Sequence, residues 1–414
     1  MSETRQRTGP DDDAPGARTV RGCPVSHTEY GEDSELYGHY ALLDAEREAA
    51  RFHFNDTRPR GFWMLQRYDD VLEGFQNHAV WTTRVRSALN PEPGIALLPQ
   101  DLNGKEHAKL RRVLNPFFSP AAVRRMEPLA HRRCVELVEE VRPKGGCDFV
   151  AEFAIRYPTD LFLSLLGLPV ADGEFFLPWS ETLFAGFFGG DPEAAAEARR
   201  NILEYFDRAV NERRAAPRDP AEDMVTRLVQ ARIDGEPLSQ EDILTVCMTL
   251  MLAGLDTTRS ALGFIFTHLA RHEEDRRRII AEPELAPAAV EEFLRMYPLV
   301  IQAGREVQEP QDFHGLPLEK GDVVWLGIAS ANRDPRKFPD PDRFILGREG
   351  VNQNLAFGAG PHRCLGMHLA RLELAVVLRE WHARIPDYRI RPGVPLTERG
   401  GQLTMPTLPL EWEV

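Results

Sequence analysis

The segment from residue 240 to residue 272 constrains the fold of this chain more than any other. Its apolar residues recur with helical periodicity, and Ser239 followed by Asp242 resembles a capping box at its start. About thirty residues at about 1.5 Å each give a rod about 45 Å long, enough to cross a whole domain. The segment is apolar on nearly every side as far as Ala253, and such a helix must run through a core.

Most of the remaining chain also has helical periodicity. It predicts helices over 121–142, 151–166, 193–216, 220–234, 287–297 and 365–383. Strand-like runs are fewer and lie at Phe62–Leu65, Asp322–Ile328, Tyr388–Arg391 and Leu403–Leu410. We therefore predict a mainly α fold with a minor β region. We expect a disordered N-terminal tail over 1–22 and one domain over 23–414, since no Ser/Gly-rich linker divides the chain.

Charge and cysteine usage exclude several broad classes. The net charge of −14 argues against a general nucleic-acid binder. The cysteines, at positions 23, 134, 147, 247 and 364, are odd in number and form no Cys-x-x-Cys pair, which disfavours a disulfide scaffold or a zinc site. The longest apolar run, Ile243 to Leu255, is too short to span a bilayer, and the first residues lack a signal peptide. We expect a cytoplasmic monomer without a membrane anchor.

Polar residues break the apolar pattern in the middle of the long helix, where the sequence reads Ala-Gly-Leu-Asp-Thr-Thr over 253–258. Glycine in a helix interior costs about 1 kcal/mol relative to alanine, and the neighbouring residues add to that cost. One interpretation is a mild kink with a capped polar pocket. The other is a local opening of the helix for a small ligand, with Thr257 offering a hydroxyl and Asp256 an ionisable group.

A single cysteine, Cys364, ends a glycine-punctuated loop just before the apolar helix at 365–383. A helix N-terminus offers free N–H groups and a positive dipole end, which favour an anionic sulfur. The glycines permit tight turns and close approach to a flat cofactor, and Phe357 is placed to cover the sulfur. Cys364 is either a buried structural cysteine or a thiolate ligand to a metal, haem iron being one known partner of such a residue.

The loop spacing Phe-Gly-x-Gly-x-x-x-Cys-x-Gly, with His362 and Arg363 before the cysteine, closely resembles the haem-binding signature of the cytochrome P450 family. The resemblance covers roughly residues 60 to 412, with four separated motifs in order. It implies a triangular prism-like helical domain with small β-sheets, and haem b with Cys364 as its axial thiolate. It places Gly254, Phe357 and Gly366 against the haem. Asp256 and Thr257 match the family's acid–alcohol pair, which handles O2 and relays protons.

Two further motifs concern cations. His107 and Arg111 are four residues apart and share one helix face. Such a patch is commonly a solvated face. The resemblance instead makes it a clamp for the haem propionates, which favour charge-assisted hydrogen bonds. Arg305 and His362 match two further propionate contacts.

Glu292 and Arg295 are three residues apart and can pair on one helix face, although an exposed pair of this kind contributes little. The resemblance implies that this pair joins an arginine of a later loop and holds the fold around the haem loop. Arg333 and Arg343 are both candidates for that arginine, and position favours Arg343. We assign Glu292, Arg295 and Arg343 a structural role.

Family position also suggests a substrate pocket, although each of its residues could equally be ordinary core. The predicted lining is Leu97, Leu98, Phe184, Phe187, Met248, Leu252, Ala253, Leu299, Val300, Ile301 and Leu403. Because these residues are apolar, we expect a mainly hydrophobic small molecule, such as a secondary metabolite.

The implied reaction inserts one oxygen atom of O2 into that molecule, by hydroxylation or epoxidation. No Gly-x-Gly-x-x-Gly fingerprint follows a strand and no cysteine cluster exists, so we expect electrons from a separate ferredoxin and its reductase. A peroxide-driven oxygenase is an alternative, but such relatives typically lack the acid–alcohol pair. A haem-thiolate ligand carrier or sensor is the non-catalytic alternative. The substrate itself stays open.

Overall fold

The computed structural model describes residues 19–90, 94–187 and 191–414. The predicted tail lies outside the described residues as far as residue 18, and so do the side chains of Phe184 and Phe187. The helices are α1 (Gly38–Ala49), α2 (Tyr68–Gln76), α3 (Gly104–Leu114), α4 (Pro120–Val141), α5 (Arg156–Leu166), α6 (Gly173–Phe187), α7 (Pro192–Ala215), α8 (Met224–Gln230), α9 (Gln240–Arg271), α10 (Glu273–Ala281), α11 (Ala286–Met296), α12 (Ile328–Asn332) and α13 (Met367–His382).

The strands are short. They are β1 (Thr19–Val20), β2 (Cys23–Ser26), β3 (Ser34–Glu35), β4 (Phe52–Asn55), β5 (Phe62–Leu65), β6 (Trp81–Thr82), β7 (Gly146–Asp148), β8 (Arg232–Ile233), β9 (Glu236–Pro237), β10 (Ala303–Val307), β11 (Gln311–Phe313), β12 (Leu316–Leu318), β13 (Val323–Leu326), β14 (Arg389–Ile390), β15 (Thr397–Glu398) and β16 (Pro409–Glu411). The mainly α prediction with a minor β part is confirmed.

The largest sheet has the strand order β1-β2-β4-β5-β13-β10-β6. Strand β5 pairs in parallel with β13 and antiparallel with β4, so the two predicted strands at 62–65 and 322–328 lie side by side. Thr19 and Val20 pair with β2, so the prediction of a disordered tail over 1–22 is wrong for its last residues, 19–22. The predicted strand at 403–410 is regular only where β16 begins.

The long helix α9 matches its prediction within a residue. The Ser239 hydroxyl accepts a hydrogen bond from the Asp242 N–H at 3.0 Å, as the capping motif requires. The predicted opening near Gly254 is wrong, because α9 is a continuous helix through that point. Its first half packs among the apolar residues of α5 and α7, and its second half packs among those of α11 and α13. Helix α9 therefore crosses both halves of the core.

The predicted helix over 220–234 is wrong at both ends. Helix α8 covers only Met224–Gln230, and the chain then forms a hairpin of β8 and β9. Asp234 (φ 54°) and Gly235 (φ 90°) make its two-residue turn. An Asp-Gly pair favours this left-handed turn, a local signal that overrides the helical pattern.

A buried ionic network joins α11 to the loop before the Cys364 segment. The carboxylate of Glu292 accepts hydrogen bonds from Arg295 (Nε, 2.9 Å) and from Arg348 (Nε, 2.8 Å), and all three side chains are buried. Arg348 also donates to the carbonyls of Pro339, Asp340 and Arg343.

The prediction that Arg343 completes this network is therefore wrong. Its side chain is 75% exposed and lies 3.9 Å from Asp340, because the loop directs the carbonyl of Arg343, and not its guanidinium, towards the network. Arg333 is also outside the network, since it pairs with Asp44 at 2.8 Å.

Within the described ranges, every helix is too short or too polar to cross a membrane.

Candidate active site

An internal cavity lies between α9 and the loop that precedes α13. One wall is formed by Phe357, Cys364 and Leu365, and another by Ala253 and Thr257 of α9. Arg305 of strand β10 and His107 of α3 reach the same space. The structure thus brings together the cysteine loop, the polar segment of the long helix and the predicted cations, which are far apart in the chain.

The Cys364 side chain is exposed to this cavity. Its backbone N–H donates to the Phe357 carbonyl at 2.9 Å, which closes the loop around the sulfur. Burial raises the pKa of the Cys364 thiol, while the Gly366 N–H and the Arg111 guanidinium lower it. The Arg371 guanidinium lies 4.6 Å from the centre of the Phe357 ring. The positive charges of Arg111, Arg363 and Arg371 therefore oppose the effect of burial on the pKa of this sulfur.

Glycine is needed at one point of this loop in particular. Gly360 has φ 69°, and a Cβ there would lie 2.6 Å from the Phe75 carbonyl oxygen. Only glycine fits the close contact between the loop and α2.

The four predicted propionate contacts, two arginines and two histidines, form one cluster of basic side chains at the cavity. The rings of His107 and His362 are 4.0 Å apart, and Arg111 donates to the Arg363 carbonyl at 3.0 Å. Burial lowers the pKa of Arg305 to about 10. Burial also lowers the pKa of His107 to about 4, and burial together with the neighbouring cations lowers that of His362 to about 3.

Arg305 is a buried cation that has no carboxylate partner among the described residues. Its guanidinium is 5% exposed, donates to the Gly304 carbonyl at 2.7 Å and lies over the Phe75 ring. Among the described residues, no carboxylate lies within ion-pairing distance of Arg305, Arg111, His107 or His362. A buried cation without an anion is costly, so this cluster fits an anionic ligand.

The acid and the alcohol of the predicted pair point in different directions. Thr257 lines the cavity, and its hydroxyl donates to the Ala253 carbonyl at 2.8 Å. The Asp256 carboxylate faces a second pocket, where it pairs with Arg259 and accepts from Gln402 Nε2 at 3.0 Å. Burial raises the pKa of Asp256, and the charge of Arg259 opposes that shift.

Only part of the predicted substrate pocket lines the cavity. Ala253, Leu299 and Val300 do. Met248 and Leu252 do not, because they face the core formed with α5 and α7. Helix α9 lines the cavity with residues three or four apart and their neighbours, which together define a different helix face. They are Thr249, Leu250, Ala253, Thr257, Thr258 and Ala261.

The other predicted pocket residues also lie elsewhere. Ile301 and Leu403 are fully buried in the core around α11 and α13. Leu97 and Leu98 pack on the edge of the other core. The prediction for Gly254 needs correction too, since a Cβ there would meet Phe162 of α5 at 3.1 Å. Gly254 therefore permits close packing of α9 against α5, away from the cavity.

Several cavity residues had no sequence signal. Phe75, Thr83, Gln100 and Tyr297 come from segments without a recognisable motif. The sequence did offer a signal for Glu373, because it is an acidic residue within the apolar helix α13. Its side chain is buried behind the cavity wall, where the Thr258 hydroxyl donates to it at 2.9 Å. Burial raises the pKa of Glu373 to about 8.

A helical fold around one cysteine sulfur and a cluster of basic side chains, without carboxylate partners among the described residues, is typical of haem-thiolate oxygenases. The family model described as Cytochrome P450 matches residues 172–381. A probable cytochrome P450 127A1 of Sinorhizobium fredii is 35% identical over 363 residues, which are 86% of this chain and 85% of that protein. The mycinamicin IV hydroxylase/epoxidase of Micromonospora griseorubida is 33% identical over 81% of this chain and 84% of its own.

Solved structures agree with these relatives. The crystal structure of CYP101J2 has a TM-score of 0.85 and 30% identity, covering 96% of this chain and 100% of that one. The chain belongs to the cytochrome P450 family, and it is a P450 monooxygenase.

The family implies a haem-thiolate cofactor, and the residues present fit it. A cysteine sulfur, a buried arginine and three further basic side chains without carboxylate partners among the described residues share one cavity, as a cofactor with an iron and two carboxylates requires. Cys364 would hold the iron, and His107, Arg111, Arg305 and His362 would hold the carboxylates.

Proposed function

We propose that this chain binds haem b through the Cys364 thiolate and uses O2 to hydroxylate or epoxidise a mainly hydrophobic small molecule. The observation that carries the proposal is the shared cavity of Cys364, Thr257 and the unpaired Arg305. Haem, when bound, supplies the oxygen-activating chemistry, and a thiolate donor favours O–O cleavage.

The protein's own part begins with the sulfur. The Gly366 N–H and the guanidinium of Arg111 stabilise negative charge on Cys364 against the effect of burial. Arg305, buried and without a carboxylate partner among the described residues, attracts a cofactor carboxylate strongly. These two anchors would hold the cofactor in the cavity between α9 and the Cys364 loop.

Protons reach the cavity by way of α9 in this proposal. The Thr257 hydroxyl is at the cavity, and Asp256 beside it faces the second pocket with Arg259 and Glu181. Rotation of Asp256 away from Arg259 and Gln402 would transfer a proton from that pocket towards Thr257. In this proposal the cavity at Cys364 holds the reactants, and the second pocket, at Asp256, supplies protons.

The cavity wall supports a hydrophobic substrate. Its apolar side chains include Leu250, Ala261, Leu294, Leu299 and Val300. A mainly apolar lining with a few polar groups is usual for small-molecule sites. The relative named as a mycinamicin IV hydroxylase/epoxidase makes secondary metabolites a reasonable first class to screen.

For electrons we propose a separate ferredoxin with its reductase. Arg112, Arg124, Arg125 and Arg363 are exposed on α3, on α4 and in the Cys364 loop. Arg111 joins α3 to that loop through the Arg363 carbonyl. An acidic ferredoxin would therefore find a positive surface close to Cys364.

The ligand assignment is tested by the spectrum of the reduced protein with carbon monoxide. We expect the strongly red-shifted band of a thiolate-ligated haem in the wild type and in Cys247→Ala, whose sulfur is buried in the core near α7. Cys364→Ala should lack that band. Its persistence in Cys364→Ala, or its absence from the wild type, would refute the proposal.

Thr257→Ala tests the proton route. We expect the variant to keep haem and substrate binding. The amount of product formed per NADH consumed should fall about tenfold, because the hydroxyl that positions a proton is gone. Peroxide should form instead. Thr257→Ser should restore coupling. Thr249→Ala is the matched control, since Thr249 also lines the cavity and donates to a carbonyl four residues earlier (2.8 Å). Equal coupling in Thr257→Ala and the wild type would exclude a relay at Thr257.

A further inference from the structure

Three potential metal ligands meet where α9 ends and α10 begins, away from Cys364. They are His268 and His272, four residues apart, and Asp275 in the first turn of α10. One ligand atom from each lies within 4.8 Å of the others. Asp275 Oδ2 is already 3.0 Å from His268 Nε2, and the two imidazole rings are stacked at 4.3 Å.

Contacts on the side of the ring away from Asp275 fix the orientation of His268. Its Nδ1 is hydrogen bonded to the Tyr297 hydroxyl at 2.7 Å, and Phe293 and Phe344 pack on the ring. With Nδ1 held, Nε2 is directed outwards at Asp275. A hydrogen bond to the far nitrogen of a histidine is the usual support of a metal-ligating imidazole.

The other two side chains have room to adjust. His272 is exposed, and in the described part of the chain its imidazole has no hydrogen-bond or ion-pair partner. The Asp275 side chain is 29% exposed. In a tetrahedral zinc site with bonds of about 2.1 Å, ligand atoms lie about 3.4 Å apart. A small rotation of His272 would bring all three atoms to that spacing, with water in the fourth position.

We propose that His268, His272 and Asp275 form a binding site for one Zn²⁺ ion, which clamps the end of the core helix α9 to the start of α10. Two imidazoles and one carboxylate suit Zn²⁺, and solvent at His272 gives the ion a route of entry. The site also touches the cavity wall indirectly, since Tyr297 both supports His268 and lines the cavity.

The test uses the haem-loaded full chain, with any affinity tag removed and free metal chelated. Calorimetric titration with ZnCl2 should show one Zn²⁺ per chain with a Kd in the micromolar range or below, and Zn²⁺ should raise the unfolding temperature. His272→Ala and Asp275→Asn should each weaken binding by at least about 100-fold, beyond the 10- to 100-fold typical for lost support of a ligand.

Two further variants separate this site from adventitious histidine binding. Tyr297→Phe removes the hydroxyl that supports His268, and with it a hydrogen bond to Tyr37, but keeps all three proposed ligands. It should weaken Zn²⁺ binding by about tenfold. His131→Ala removes an exposed histidine that pairs with Glu380 and should bind Zn²⁺ as the wild type does. The proposal is overturned if the wild type binds no Zn²⁺ below millimolar concentration. It is also overturned if His272→Ala and Asp275→Asn bind as tightly as His131→Ala.

Discussion

Arg348→Ala is expected to destabilise the protein by about 3–5 kcal/mol, because it breaks a buried ion pair from one side. Glu292 would keep Arg295, but it would lose the 2.8 Å bond from Arg348. The loop carbonyls of Pro339 and Arg343 would lose their side-chain donor as well. Since this loop leads to the Cys364 segment, we expect the haem to be released at lower urea concentration.

Arg343→Ala is the matched control, because it removes the same side chain five positions earlier in the same loop. Its guanidinium is 75% exposed, so we expect a change within about 0.5 kcal/mol. Urea unfolding of the haem-loaded proteins, followed by circular dichroism and by haem absorbance, measures both. If Arg343→Ala lowers the free energy of unfolding as much as Arg348→Ala does, the network at Glu292 is contradicted. If Arg348→Ala does not accumulate, Arg348→Lys should give an intermediate loss.

Glu373→Gln is expected to stabilise the protein at pH 8 by about 2–4 kcal/mol, an unusual sign for a core substitution. Burial raises the pKa of Glu373 from an ordinary value of 4.5 to about 8. Between these values the unfolded chain releases this proton while the folded protein retains it. Stability therefore falls as the pH rises through this window, by at most about 1.4 kcal/mol per unit.

Glutamine avoids this loss, because it stays neutral and its amide oxygen can still accept from Thr258. The wild type and Glu373→Gln should have similar urea midpoints near pH 5 and should diverge steadily up to pH 8. Glu380→Gln is the control on the same helix, since Glu380 pairs with Arg384 at 2.7 Å and with His131 at 2.9 Å. That substitution should lower stability at pH 8. A difference between Glu373→Gln and wild type that does not grow with pH would refute the assignment.

Local pattern predicted those parts of the molecule that depend on nearby residues. Helix α9 and strand β5 follow from periodicity and composition over a short window, and Ser239 marks the helix start through its own hydrogen bond. The Cys364 loop could be recognised in the sequence because its glycines and its cysteine lie within ten residues of one another. The hairpin at Asp234 and Gly235 was equally local, but the helical period of 220–234 hid it.

The direction in which each side chain of α9 faces could not be predicted from the sequence. Asp256 and Thr257 are neighbours, yet a step of about 100° around α9 sends one to the second pocket and the other to the cavity. The same rotation separates Met248 and Leu252, which face the core, from Leu250 and Ala253, which face the cavity.

The sequence by itself determined the family, the helical framework, and the cysteine and cations of the cavity, because motif and periodicity are properties of neighbouring residues. Only the tertiary structure decided that Arg348 and not Arg343 reaches Glu292, that Asp256 turns from the cavity, and that Glu373 is a buried acid beside Thr258. These outcomes depend on the path of a loop and on the rotation of a packed helix, which are set by contacts between residues far apart in the chain.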